Sequence, residues 1–288
     1  MNNEKKSKLM LIASMIIFGT IGIFRKYIPL PSGMIAMSRG FIGMLFLIPV
    51  ILLRRQKISF SDIKNNILLL CVSGVLIGFN WILLFEAYRY TSVATATLCY
   101  YTAPVFVIAV SPFVFGEKIT RTKLICVIAA LLGMILVSGV LNEGIASISE
   151  FSGILFGLGA AVLYASVIIL NKKIGDISAY DKTIVQLGVA GIVLVPYTLI
   201  AENIPNTEFT AVSIVMLIVI GVVHTGIAYT LYFGSIGRLK AQTAAIFSYI
   251  DPVVAVILSV LILNESIGIG GYAGAVLILG AAMLSERG

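Results

Sequence analysis

Ten stretches of the chain are apolar almost without interruption, at about residues 9–27, 32–53, 65–87, 92–115, 121–140, 152–171, 180–200, 211–233, 241–263 and 267–285. A helix needs about 20 apolar residues to cross the hydrocarbon core of a bilayer, and each stretch is of that order. The hydrophobicity is continuous, not alternating, which excludes the apolar-out, polar-in period of transmembrane strands. The longest polar connections are Arg54 to Lys64, Leu141 to Glu150 and Glu202 to Glu208, and none has room for a soluble domain. The pattern predicts an all-α integral membrane protein with ten transmembrane helices.

Composition agrees. The 288 residues are 59% hydrophobic and 11% charged, whereas soluble domains carry roughly 25% charged residues. The excess apolar surface is expected to face lipid. A net charge of +7 raises the question of a nucleic-acid partner, but the distribution of the charges answers it. With a cytoplasmic amino terminus, the inner loops hold Lys5, Lys6, Lys8, Arg54, Arg55, Lys57, Lys64, Lys118, Arg121, Lys123, Lys172, Lys173, Lys182, Arg238, Lys240 and Arg287. The outer loops hold only Arg25, Lys26 and Arg89. Lys and Arg retained on the cytoplasmic side set membrane orientation, so a cell inner (plasma) membrane with both termini inside is expected, and no nucleic acid. The apolar run Leu9 to Phe24 follows three lysines like a signal peptide, but no cleavage site follows it, so it reads as a retained first helix. Cys71, Cys99 and Cys126 all lie in apolar stretches without a CxxC pair, and read as small buried residues, not as a disulfide framework or a zinc site.

The chain also repeats itself. A shift of 148 residues pairs Gly78 with Gly226, Trp81 with Tyr229, Tyr101 with Tyr249, Pro104 with Pro252 and Glu117 with Glu265, and a shift of 147 pairs Pro49 with Pro196. The two copies occupy residues 1–145 and 146–288. Each holds five predicted helices, and because five is odd the halves are expected to lie in opposite senses across the membrane. Such inverted repeats recur in secondary transporters, with the substrate between the halves near the midplane.

These features carry a family resemblance over essentially the whole chain. Each half has a proline, an apolar run and a glutamate, Pro104 to Glu117 and Pro252 to Glu265. A glycine-rich helix follows each, with Gly133 and Gly139 in one half and Gly270, Gly271, Gly274 and Gly280 in the other. In this the sequence resembles EamA-type members of the drug/metabolite transporter superfamily. The resemblance implies a ten-helix inverted-repeat transporter, often of amino acids or related metabolites, and commonly outward.

Comparison of the two copies singles out residues. Asp251 stands where the first half has Ala103, next to Pro252 near mid-bilayer; an ionisable residue there marks a pathway or relay by default. Arg39 stands opposite Gln186, with Ala36, Gly40 and Gly43 nearby; its fork suits a carboxylate or phosphate, the alternatives being snorkelling to the headgroups or a pair with Glu86. His224, opposite Leu76, is the single histidine and a candidate proton relay with Asp251, although a lone His on an apolar helix is more often a core residue. Trp81, Tyr100, Tyr101 and Tyr249 are candidate substrate-binding aromatics, joined by Tyr229. Pro104 and Pro252 lie near the centres of their predicted helices and free the carbonyls of Tyr100 and Ser248; a packing kink and a local break lining the cavity are both open readings. Glu117 and Glu265, kept in both halves, read as capping residues.

The resulting expectation is a monomeric, alternating-access transporter of a small metabolite, with Arg39 on a carboxylate and Asp251 on an ammonium. Proton-coupled efflux of organic cations and a passive channel are the alternatives. No Walker motif, metal-ligand cluster or catalytic Ser/His/Asp set stands out, so neither cofactor nor enzyme chemistry is expected.

Overall fold

The computed structural model describes residues 3–26, 28–53, 55–90, 96, 99–138, 148–202, 209–263 and 269–285. Arg54, Gly139, Glu265 and Arg287 lie outside the described residues. Among the described residues the chain is helical, without strands. Seven helices come first: α1 (Asn3–Lys26), α2 (Ser32–Leu53), α3 (Phe60–Tyr90), α4 (Ala103–Phe115), α5 (Arg121–Ser138), α6 (Ile148–Lys173) and α7 (Ala179–Ala201). Then α8 runs Ala211–Ile236 with a π-helical middle, Ile220–Ile227. The short α9 (Ala241–Phe247), α10 (Ile250–Leu263) and α11 (Ile269–Ser285) complete the order. Within the described residues, 5 helices are long and apolar enough to cross a membrane: Ser32–Leu53, Phe60–Ala87, Phe151–Lys173, Ala179–Ala201 and Ala211–Ile236.

The distribution of side chains is that of a protein solvated by lipid. Large apolar residues such as Leu53, Phe113, Ile200 and Ile269 face outward, while Ser73, Asn80, Asn171, Gln186 and Gln242 are buried. Lipid provides no hydrophobic force between helices, so small residues and interhelical hydrogen bonds hold the bundle. Gly74 shows the first: a Cβ there would come 2.7 Å from Val189 Cβ on α7, so only glycine admits this approach. Asn171 shows the second. Its amide donates to the Ser73 hydroxyl at 2.9 Å, and its side-chain oxygen accepts from Gln186 at 3.0 Å, which ties α6 to α3 and α7.

Packing between the halves is reciprocal. α3 packs on α6 and α7, and its repeat counterpart α8 packs on α1 and α2. α4 packs on α6, as α10 packs on α1. Two further large contacts, α2 with α7 and α5 with α11, join counterparts to each other. Every one of these contacts thus has a partner under exchange of the halves or is its own partner.

Of the two readings of the prolines, a packing kink and a local helix break, the structure shows the break. Tyr101 and Thr102 form a turn before α4, and Ser248 and Tyr249 form one before α10. Pro104 and Pro252 therefore sit in the first turn of a restarting helix. A proline lacks the donor and clashes with the carbonyl four residues earlier. In a first turn that donor is unused, so the break forms ahead of the ring. The Ser248 carbonyl accepts from Asp251 N at 3.4 Å, so it is not left free.

Glutamates close two helix starts. Glu117 Oε1 and Oε2 accept from the N–H groups of Ala241 and Gln242 at the start of α9 (2.9 and 3.4 Å), and Lys172 Nζ lies 3.5 Å from Oε1. Glu202 does the same for α2, accepting from Gly33 and Met34 at 2.5 and 2.9 Å. A carboxylate satisfies first-turn donors that have no intrahelical partner and favours the positive end of the helix.

Candidate functional site

A cavity of about 130 Å³ lies between the halves. A cavity needs at least about 10–15 Å³ on this measure to hold one water, so it has room for several. The first half contributes Phe18, Ile21, Arg39, Trp81, Leu84, Tyr100 and Tyr101 to its wall; the second contributes Tyr164, Tyr229, Tyr232, Ser248 and Asp251. The wall follows the repeat. Trp81 and Tyr229, Leu84 and Tyr232, and Tyr100 and Ser248 are counterparts at a spacing of 148, and all six line it.

Arg39 is built into this wall. It is 5% exposed, which excludes snorkelling to a headgroup layer. Its guanidinium carbon stands 4.3 Å above the Trp81 ring, a cation–π contact worth about 0.5–2 kcal/mol. Its Nε donates to the Thr225 hydroxyl at 3.1 Å, and that hydroxyl donates to the Ile220 carbonyl at 2.9 Å. Thr225 belongs to the π-helical segment of α8, and π segments occur frequently at functional sites. The π segment of α8 thus holds the arginine in position. Among the described residues no carboxylate forms an ion pair with Arg39. Glu86 instead accepts from the Tyr197 hydroxyl at 2.8 Å.

Asp251 occupies the first turn of α10, directly after the helix break. It lines the cavity as the carboxylate of the wall, with the Tyr101 hydroxyl as hydrogen-bonding neighbour. Around the two charges runs a connected aromatic surface. Tyr100 stacks on Tyr164 at 5.4 Å between centroids, Tyr164 on Tyr232 at 6.3 Å, and Phe18 meets Tyr229 edge-on at 5.1 Å. The Trp81 indole N–H donates to the Tyr229 hydroxyl at 3.1 Å. Such rings offer flat apolar contact with a polar tip.

Six of the residues singled out in the sequence therefore meet at one cavity: Arg39, Trp81, Tyr100, Tyr101, Tyr229 and Asp251. Two stand apart. Tyr249 is fully buried in the core, and His224 lies behind the wall, with Nε2 2.7 Å from the Thr20 hydroxyl and its ring edge-on to Phe24. Phe18, Tyr164, Tyr232 and Ser248 line the cavity without having been expected there. Two of these, Tyr232 and Ser248, are repeat counterparts of wall residues, so the repeat itself carried a signal for them. Among the described residues no group of His, Cys, Asp or Glu is arranged to hold a metal ion.

Comparison with known proteins gives concordant results. The EamA-like transporter family model matches residues 5–139 and again residues 151–286. A protein named "Uncharacterized transporter YxxF" from Bacillus subtilis (strain 168) is 32% identical over 250 residues, covering 86% of this chain and 79% of its own. "Protein RarD" from Salmonella typhi is 25% identical over 269 residues, covering 91% of this chain and 87% of its own. A solved crystal structure shares the fold at a TM-score of 0.88 and 16% identity, covering 99% of this chain and 98% of that one.

Proposed function

The chain belongs to the EamA-like transporter family, and on that premise we propose that it carries a small zwitterionic metabolite, an amino acid or a close relative, outward by alternating access. Membership makes it a multi-pass membrane transporter and not an enzyme. The observation that carries the substrate reading is the meeting of Arg39 from one half and Asp251 from the other in a single small cavity walled by aromatic rings. An arginine with one face on Trp81 and Nε on Thr225 keeps further donors for a carboxylate, which it holds through two parallel hydrogen bonds. Asp251 complements an ammonium. The rings take the side chain, and the volume suits a small solute. A plain organic cation would face the unpaired charge of Arg39, which weighs against that alternative.

The mechanistic reading rests on the repeat. Counting α9 with α10 as one interrupted span, and α4 with the residues before it as its counterpart, gives ten spans in two halves of five. An odd number inverts the second half, and exchange of conformations between the halves then exchanges inside for outside. The membrane is the plasma membrane, with both termini cytoplasmic as the Lys and Arg distribution indicates, and the working unit is the monomer.

Counterflow tests this reading. Purified protein in liposomes loaded with an unlabelled amino acid should accumulate the labelled form faster than in empty liposomes. Flux independent of the internal load would identify a pore. In a cysteine-free background, Asn2→Cys and Ser285→Cys should label from the same side of the membrane; opposite sides would overturn the ten-span topology.

A further inference from the structure

A second cavity, of about 390 Å³, opens between the start of α1, the connection from α6 to α7, and the end of α8. Lys6, Lys182 and Arg238 line it, with Asp176 as the acidic member. Three cations and one carboxylate give a formal sum of +2, close to the charge that a phosphate monoester carries with opposite sign near neutrality. Lys6 and Arg238 are exposed at the mouth. Lys182 is different: it is 4% exposed. Its ammonium donates to the Asn171 carbonyl at 3.4 Å, and reaches within 4.0 Å of where a Cβ on Gly237 would stand. Among the described residues no carboxylate lies within ion-pair distance of it.

Lys182 has one long hydrogen bond and the more distant charge of Asp176 to hold it, and a buried cation costs several kcal/mol unless an anion compensates it closely. The two ordinary explanations for a lysine here both fail. Membrane topology accounts for cations in flanking loops, not for one enclosed beneath the end of a neighbouring helix. Symmetry of the halves does not account for it either, since Lys182 corresponds to Ile35 and Arg238 to Tyr90 at spacings of 147 and 148. Neither of these two charges is repeated in the first copy. The first turn of α7, Ala179 and Tyr180, forms part of the same wall, and a helix start adds a field favourable to anions. Met10, Ile174 and Phe233 supply apolar wall beside the charges, suited to an organic portion attached to the anion.

We propose that this cavity binds a phosphate group, borne by a soluble phosphate ester or by the headgroup of an anionic lipid. Lys182 is the deep contact, Arg238 and Lys6 close over the group from the mouth, and the site is independent of Arg39 and Asp251. The test uses full-length protein in neutral detergent, with thermal unfolding followed during titration of inorganic phosphate and of glycerol 3-phosphate against chloride at equal ionic strength. A parallel arm compares phosphatidylcholine nanodiscs with and without phosphatidylglycerol. The double variant Lys6→Gln/Arg238→Gln removes two exposed charges and leaves the central cavity untouched. Wild type is expected to be stabilised by one class of probe, with apparent affinity at least tenfold weaker in the double variant, as befits the loss of charge-assisted hydrogen bonds. A response to the soluble phosphates alone assigns a soluble ligand; a response to phosphatidylglycerol alone assigns a lipid. Lys182→Met should unfold no earlier than wild type without probe and should lose the response. Absence of stabilisation by every probe overturns the proposal, as does an equal response in wild type and either variant.

Discussion

Trp81 donates its indole N–H to the hydroxyl of Tyr229 at 3.1 Å, and the two residues stand 148 positions apart, the interval at which the chain repeats. Under a two-fold relation between the halves, a side chain touches its own counterpart only where the axis passes. In the proposed inverted-repeat arrangement this hydrogen bond would mark the axis; the cavity beside it is lined by Arg39 from the first copy and Asp251 from the second.

The first prediction concerns this bond. Trp81→Phe and Tyr229→Phe should each weaken solute binding, and the double variant should be less impaired than the sum of the two. The expected coupling is about 1 kcal/mol, the net value of a typical protein hydrogen bond. Apparent affinities of the four proteins, measured by counterflow, provide the cycle. Strictly additive effects would show that the contact carries no binding energy.

Arg39 should not tolerate its conservative replacement. A lysine keeps the charge but loses the planar face on Trp81 and the fork that engages a carboxylate. Arg39→Lys is expected to lose roughly tenfold or more in apparent affinity, which corresponds to about 1.4 kcal/mol, and Arg39→Met should lose transport altogether. Thr225→Val, which removes the acceptor for Nε together with the hydroxyl's own bond to the Ile220 carbonyl, should fall between wild type and Arg39→Lys. Equal transport by Arg39→Lys and wild type would confine the residue to a bulk electrostatic role.

Glu117 should matter for folding and not for recognition. Its carboxylate caps α9 and lies 3.5 Å from Lys172, remote from the cavity wall. Glu117→Gln keeps the shape but weakens two charge-assisted contacts, for an expected loss of about 1–3 kcal/mol. A lowered unfolding temperature in detergent with unchanged apparent affinity of the folded fraction is the expected pair of results. An altered affinity at unchanged stability would move Glu117 into the transport machinery.

The charged part of the site was legible in the sequence because lipid makes charge conspicuous. Asp251 and Arg39 stand out against their counterparts Ala103 and Gln186, and both line the cavity. The aromatic part was legible only where the copies agree. Trp81 and Tyr229 were paired by the repeat, but Phe18 and Tyr164 sit in helices that are apolar all round. No periodicity separates a ring facing a cavity from one facing lipid, and packing alone decides. Tyr232 follows Tyr229 by three residues, as Leu84 follows Trp81, and residues three apart share a helix face; the repeat and the helical period together pointed to it. Tyr249 shows the opposite error. Its counterpart Tyr101 lines the wall, yet Tyr249 is fully buried in the core. The prolines marked the breaks before α4 and α10 in the sequence, but their position in a first turn followed from the restart of the helix.

The central claim is that one solute bridges Asp251 and Arg39, and derivatives of that solute test it most directly. Counterflow of an amino acid is compared with its N-acetyl and carboxamide derivatives in wild type, Asp251→Asn and Arg39→Met, each verified as folded by size exclusion and thermal unfolding. The account predicts that wild type carries the intact amino acid and rejects both derivatives. Asp251→Asn should lose the amino acid and no longer distinguish it from the N-acetyl form, while Arg39→Met should no longer distinguish it from the carboxamide. Wild-type rates of amino-acid transport by folded Asp251→Asn, at every pH tested, would contradict the claim.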